Sequence, residues 1–146
     1  MCLPGRTGGT AAAPAAELDP LEVDGTLVEV EDGQLVTGTI VKIDTDSGAI
    51  LGEYRSAPNG DGQDPSRTTV DQNGNVWATN RASNTVLQIG SVENGQCVDR
   101  NLNGIIDTST AQNDIRPWTN AGGVDSDGGV ETALDECILK YIRVHS

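Results

Sequence analysis

Arg67-Thr68-Thr69-Val70-Asp71-Gln72-Asn73-Gly74-Asn75-Val76-Trp77-Ala78-Thr79-Asn80 has the pattern of a β-hairpin. Two short runs rich in β-branched residues flank Gln72-Asn73-Gly74-Asn75, and Asn-Gly between such runs is a hairpin signal. A third run, Asn84–Ile89, follows after Arg81-Ala82-Ser83. Three strands over Arg67–Asp71, Val76–Asn80 and Asn84–Ile89, joined by tight turns, make an antiparallel meander.

The same pattern extends outward. Thr26–Val30 and Leu35–Asp44 flank Glu31-Asp32-Gly33-Gln34, and a strand from Ala49 to Arg55 follows the turn Asp44–Gly48. Ser56–Pro65 reads as a polar loop. Near the other end, Ile138–Val144 reads as a last strand. Composition agrees: the 146 residues hold 18 Gly, no Phe, two Trp and two Tyr, and no stretch sustains helical apolar spacing. An internal repeat ties the halves together. Thr39-Ile40-Val41-Lys42-Ile43, a Ser-Gly turn and Ile50-Leu51-Gly52-Glu53-Tyr54-Arg55 form one copy. Thr85-Val86-Leu87-Gln88-Ile89, an Asn-Gly turn and Ile138-Leu139-Lys140-Tyr141-Ile142-Arg143 form the second. Residues 91–136 are inserted within the second copy. Inside them, Thr132 to Asp135 has capping-box spacing, which predicts one helical turn up to Cys137.

The run Asp64 to Asn80 resembles blades of bacterial β-propellers of the NHL and virginiamycin B lyase-like kind. In those blades an Asp closes one strand, an Asn-Gly turn follows and Val-Trp opens the next. The resemblance implies that Arg67–Asp71, Val76–Asn80, Asn84–Ile89 and Ile138–Val144 are the four strands of one blade, with Thr26–Arg55 the later strands of the blade before. Closing a propeller takes roughly four to eight blades. This chain supplies about one and a half, too few to close alone. Resemblance to the lyase also implies a metal-assisted reaction using His and Glu. The one His is His145, beside the C-terminus, so that activity does not carry over.

The insertion holds a second signal, Asp99-Arg100-Asn101-Leu102-Asn103-Gly104-Ile105-Ile106-Asp107. Oxygen-bearing side chains stand at positions 1, 3, 5 and 9, with Gly at 6, as at the front of an EF-hand calcium loop. Calcium takes six to eight hard oxygens. Asp99, Asn101, Asn103 and Asp107 are the candidate side-chain ligands, and Ile105 would give its carbonyl. Thr110 stands at position 12, where an EF-hand has its bidentate Glu. The loop is in that respect similar to the isolated loops of dockerins or thrombospondin type 3 repeats, and Asp114 is the candidate for the missing carboxylate. The competing reading is an Asn-rich turn in a solvated acidic loop. Asp125, Asp127 and Glu131 are a weaker echo: a second ion, a supplement to the first, or ordinary turn chemistry.

Cys97 and Cys137 bracket this loop, and a bridge between them would close roughly 40 residues, worth about 4 kcal/mol in the chain-entropy model. The alternative is two buried thiols. Cys2, before an Ala/Gly/Pro-rich run to Pro20, is either a lipid anchor on a tether or a free cysteine. Trp77 is expected in the core, and Trp118 is expected to pack over the insertion. The net charge of −13 repels phosphate backbones, so nucleic acid is an improbable partner. No segment is long and apolar enough to span a membrane. With its one His beside the C-terminus the chain offers no suitable Ser/His or Cys/His pair, and no phosphate-cradling Gly loop sits between a strand and a helix.

These observations predict an all-β chain: residues 1–20 a flexible linker, 21–146 propeller-like blades, and 91–137 an acidic, calcium-binding, disulfide-closed insertion. The function expected is a secreted or surface-attached bacterial module, extracellular or periplasmic and not an enzyme. It would bind Ca2+ and meet other copies, surface proteins or glycans through its edge strands. The alternative is a fragment of a propeller lyase or hydrolase whose active site lies in further blades.

Overall fold

The computed structural model describes residues 26–30, 38–125 and 129–144. The linker, Cys2, the turn Glu31–Gln34, Asp127 and His145 lie outside them. Seven strands form: β1 Thr26–Val30, β2 Thr39–Ile43, β3 Ile50–Arg55, β4 Pro65–Val70, β5 Val76–Asn80, β6 Thr85–Ile89 and β7 Ile138–Arg143. They make two antiparallel sheets, ordered β1-β2-β3 and β4-β5-β6-β7. Among the described residues neither closes, and β1, β3, β4 and β7 are the outermost strands. A 3-10 turn at Ala121–Gly123 is the helical element among the described residues. The chain is all-β and antiparallel, as its sequence predicts.

Aspartates that cap their own turns set the strand boundaries. Asp71 Oδ1 accepts the backbone N–H groups of Asn73 at 2.9 Å and Asn75 at 3.0 Å. Its Oδ2 accepts Asn75 Nδ2 at 3.1 Å and Trp77 Nε1 at 3.0 Å. Asp44 does the same between β2 and β3, accepting Asp46 N at 2.9 Å and Ser47 Oγ at 2.8 Å. Short side-chain acceptors satisfy turn donors that no ladder can reach.

Period-two alternation then sorts the faces. Ala78, Leu87 and Tyr141 stand opposite one another across β5, β6 and β7, as do Val76, Ile89 and Ile138. Both rows are buried, and they join one core with Ile40 and Tyr54 of the other sheet. The repeat copies use opposite faces here. Ile40 and Tyr54 enter this core, but their counterparts Val86 and Ile142 lie on the outer face of the second sheet. The sheets therefore stack front to back.

Three expectations are corrected. Trp118 does not pack over the insertion; it is fully buried in the main core, edge-on to Tyr141 with ring centroids 5.2 Å apart. A core with so few aromatics draws one from the insertion. Trp77 is outside that core: it shares the outer face with Gln88 and Lys140, and the Lys140 ammonium stands 6.0 Å from its ring centroid. The capping-box helix at Thr132 does not form. Ala133 bridges to Trp118, and the Thr132 hydroxyl is taken by Asp125, so tertiary partners outbid the local cap.

Asp71 gives a pH prediction. Burial pushes its carboxyl up, but the bonds from Trp77 and Asn75 outweigh burial and hold it below 3.8. A lowered folded-state pKa adds stability that is present above the unfolded value and lost as pH falls through the folded one. Glu93 and Asp125 are lowered likewise, while burial raises Asp135, which works in the opposite direction. Urea titrations should therefore show falling stability below about pH 4. Asp71→Asn should cost about 1 kcal/mol at pH 7, with the deficit shrinking at pH 3. An equal deficit at both would remove Asp71 from the account.

Candidate metal centre

The insertion leaves β6 at Gly90 and returns at Cys137, and these two ends meet: Gly90 N donates to Cys137 O at 2.7 Å. The Cys97–Cys137 disulfide is formed, with Cα atoms 4.4 Å apart. It sets Val98 beside Glu136, whose carbonyl accepts Val98 N at 3.1 Å. The loop Asp99–Asp107 starts one residue later.

Within that loop the chain wraps around its own side-chain oxygens. Asp99 accepts the backbone N–H of Asn103 at 3.2 Å and of Gly104 at 2.8 Å. Asn101 Oδ1 accepts the same Asn103 N–H at 2.9 Å, and Asn103 Oδ1 accepts Ile105 N at 2.8 Å. The amides of Asn101 and Asn103 both donate to Asp107 Oδ2, at 2.8 and 2.9 Å. These bonds, with a lesser pull from the Arg116 charge, hold the Asp107 carboxyl below its ordinary value. Gly104 has φ 87°, a left-handed backbone that glycine takes without a side-chain clash. The four predicted side chains are thereby gathered.

Of the other predicted residues, Ile105 lies in the loop, and Asp114 and Asp125 bond to other partners. Asp114 caps its own turn, accepting Thr110 N at 2.9 Å, and lies 3.6 Å from Arg116. Asp125 is fully buried, and its Oδ2 accepts Trp118 Nε1 at 2.8 Å, Thr132 N at 3.1 Å and the Thr132 hydroxyl. Glu131 is exposed. Among the described residues no three His, Cys, Asp or Glu side chains gather into a metal-holding group. The Asp99 loop brings two carboxylates and two amides.

Sequence reasoning missed Glu136. It is 2% exposed, and its Oε1 accepts Arg100 N at 2.7 Å and Asn101 N at 3.0 Å, while Oε2 accepts Asp107 N at 2.8 Å. Arg100 runs the opposite way: its guanidinium donates to the carbonyls of Ala133, Asp135 and Ile138 at 2.8, 2.5 and 2.9 Å. The signal available was adjacency, since a residue beside Cys137 must lie beside Cys97 once the bridge forms.

The insertion also grips the first sheet. Ser109 Oγ accepts Glu53 N at 2.7 Å, and Glu53 Oε2 accepts Asn113 N at 2.8 Å. Gly52 is glycine for this reason: a Cβ there would come within 3.1 Å of Ser109 O and 2.8 Å of the Tyr54 hydroxyl. Compared with known proteins, the chain matches no family model, no curated protein and no solved structure.

Asp125 separates a framework role from a ligand role. Asp125→Ala leaves the buried Trp118 N–H without a partner, which should cost about 1–3 kcal/mol. Thermal melts should show the same loss with and without calcium; a loss seen only with calcium would make Asp125 a ligand.

Proposed function

We propose that this chain is a calcium-binding, non-enzymatic structural module of an oxidising, extracellular or periplasmic setting, built from propeller-like hairpins of the NHL kind. The observation that carries the reading is the convergence of Asp99, Asn101, Asn103 and Asp107. Asp99 and Asn101 meet on one amide, and Asn101 and Asn103 meet on the Asp107 carboxylate. Side-chain tips 2.8–2.9 Å apart have the spacing of neighbouring ligands on one calcium ion, whose oxygens lie about 2.3–2.6 Å from the metal. Each carbonyl or carboxylate oxygen that accepts one N–H keeps a second lone pair. An ion among these oxygens would take the place of the amide bonds to Asp107 while the Asn101 and Asn103 oxygens keep their backbone N–H partners, and the Ile105 carbonyl would add a backbone ligand.

The site's strength follows from its charge. Two carboxylates against a divalent ion make a weak site, about 10⁻⁴–10⁻³ M, the range of extracellular modules. The disulfide supports the same compartment, since such bonds persist where thiols are oxidised. No described helix is long and apolar enough to cross a membrane.

A second reading is assembly with further blade-like sheets, in this protein or another copy. Front-to-back stacking of the two sheets supports it, as does the outer face, where Ile142 is 42% exposed beside half-buried Val86 and Trp77. An enzyme completed by such further blades is the alternative that a longer reading frame with more Asn-Gly-Asn-x-Trp repeats would favour.

Calorimetric titration of the chelator-treated chain tests the leading reading. One site in the range above should appear. Calcium at ten times its Kd should raise stability by about 1.4 kcal/mol, a few degrees in the melt. No heat and no shift at 10 mM calcium, about ten times the upper end of that range, would sink it.

A further inference from the structure

We propose that Glu136, tethered by the Cys97–Cys137 disulfide, is the positioning residue that shapes the Asp99–Asp107 loop for its ion and sets its affinity. The proposal rests on the calcium reading above. The loop lacks an acid at its twelfth position, where Thr110 stands, and so has no acid of its own there to tie its far end to its start. Glu136 closes it from outside. Its Oε1 holds the amides of Arg100 and Asn101, the second and third positions, and its Oε2 holds the amide of Asp107, the ninth. Its own N–H donates to Asp107 O at 2.9 Å, and its carbonyl takes Val98 N at 3.1 Å. Five hydrogen bonds from one residue thus fix both ends of the loop. Both carboxylate oxygens hold backbone N–H groups of the loop and the residue is 2% exposed, so Glu136 is placed to act through the loop rather than as a ligand.

The disulfide fixes where Glu136 can stand. Cys137 is its neighbour, Cys97 is two residues before Asp99, and the bridge holds the segments at a Cα separation of 4.4 Å. Arg100 braces the same junction from the other side, donating to the carbonyls of Ala133, Asp135 and Ile138. A ligand set held in place before the ion arrives spends less of its binding energy on ordering. Partners just outside a metal's ligands typically change affinity 10–100-fold when removed.

Calcium calorimetry on the full, oxidised chain, compared with Glu136→Gln, tests this, with melts recorded without calcium. The Gln amide keeps an oxygen for Arg100 and Asn101 but turns a donor toward the Asp107 N–H, so it disturbs a ligand-bearing residue selectively. The expected result is Kd raised about tenfold or more, out of proportion to the change in the calcium-free melt. A merely structural role would lower the melt equally with and without calcium and leave Kd within about twofold; that result overturns the proposal and spares the calcium reading. Wild type giving no heat overturns both. Should Glu136→Gln not fold, the wild type treated with a water-soluble phosphine is titrated instead. The phosphine is oxidised to its oxide with oxygen from water, and the S–S bond becomes two thiols. Loss of affinity by about tenfold upholds the tether; an unchanged Kd in the reduced, folded chain overturns it.

Discussion

The crossed pair of Arg100 and Glu136 is the constraint on which the rest depends. One side chain donates to three backbone carbonyls of residues 133–138, and the other accepts three backbone amides of residues 100–107. Burying a carboxylate is costly unless its oxygens are satisfied. Here both are, by N–H groups that no strand ladder could reach. The disulfide supplies the closeness that makes this exchange possible, and the exchange orders two segments that have no regular secondary structure of their own before β7. Charged side chains thus add to the apolar anchors by which the insertion joins the main core.

What they secure reaches beyond the insertion. Trp118, Ala133 and Cys137 enter the main core against Tyr141, and Ser109 and Asn113 hold Glu53 on β3. The sheets alone would meet over Ile40, Tyr54, Leu87, Ile89 and Ile138, a modest apolar surface for a chain without Phe. The described residues of the insertion are thus part of the fold itself, bonded to both sheets and reaching into the core, and an ion bound at Asp99–Asp107 would tighten that part.

The acidity also takes on a different meaning. A net charge of −13 invites a reading as site charge awaiting a metal. Much of it is instead spent on turns: Asp44, Asp71, Asp99, Asp114, Asp125, Asp135 and Glu136 each accept backbone N–H groups. In a chain of short strands the unsatisfied donors lie in turns, and short acids are the side chains that reach them. Asp135 shows the cost: burial raises its pKa although Thr108, Ser109 and Cys137 all donate to it.

Local chemistry was legible from residues alone. The span Val76–Asn80 and the turn at Asp71 follow from β-branched runs around Asn-Gly, and the Asp99–Asp107 loop follows from alternating oxygens with Gly104. Each is fixed within about ten residues, where steric preference and short-range hydrogen bonds dominate. The cysteine pairing was legible as one of two options. Which face of a strand is core was not. Trp77 leaves its expected place because alternation gives two faces and only the stacking of the second sheet chooses between them. Trp118, in a stretch without periodicity, is placed by its contacts with Tyr141, Asp125 and Ala133. Glu136 was hidden for the same reason. The partners of its carboxylate lie 29 to 36 residues away in sequence, and no local pattern marks a residue that acts only once a disulfide brings it home.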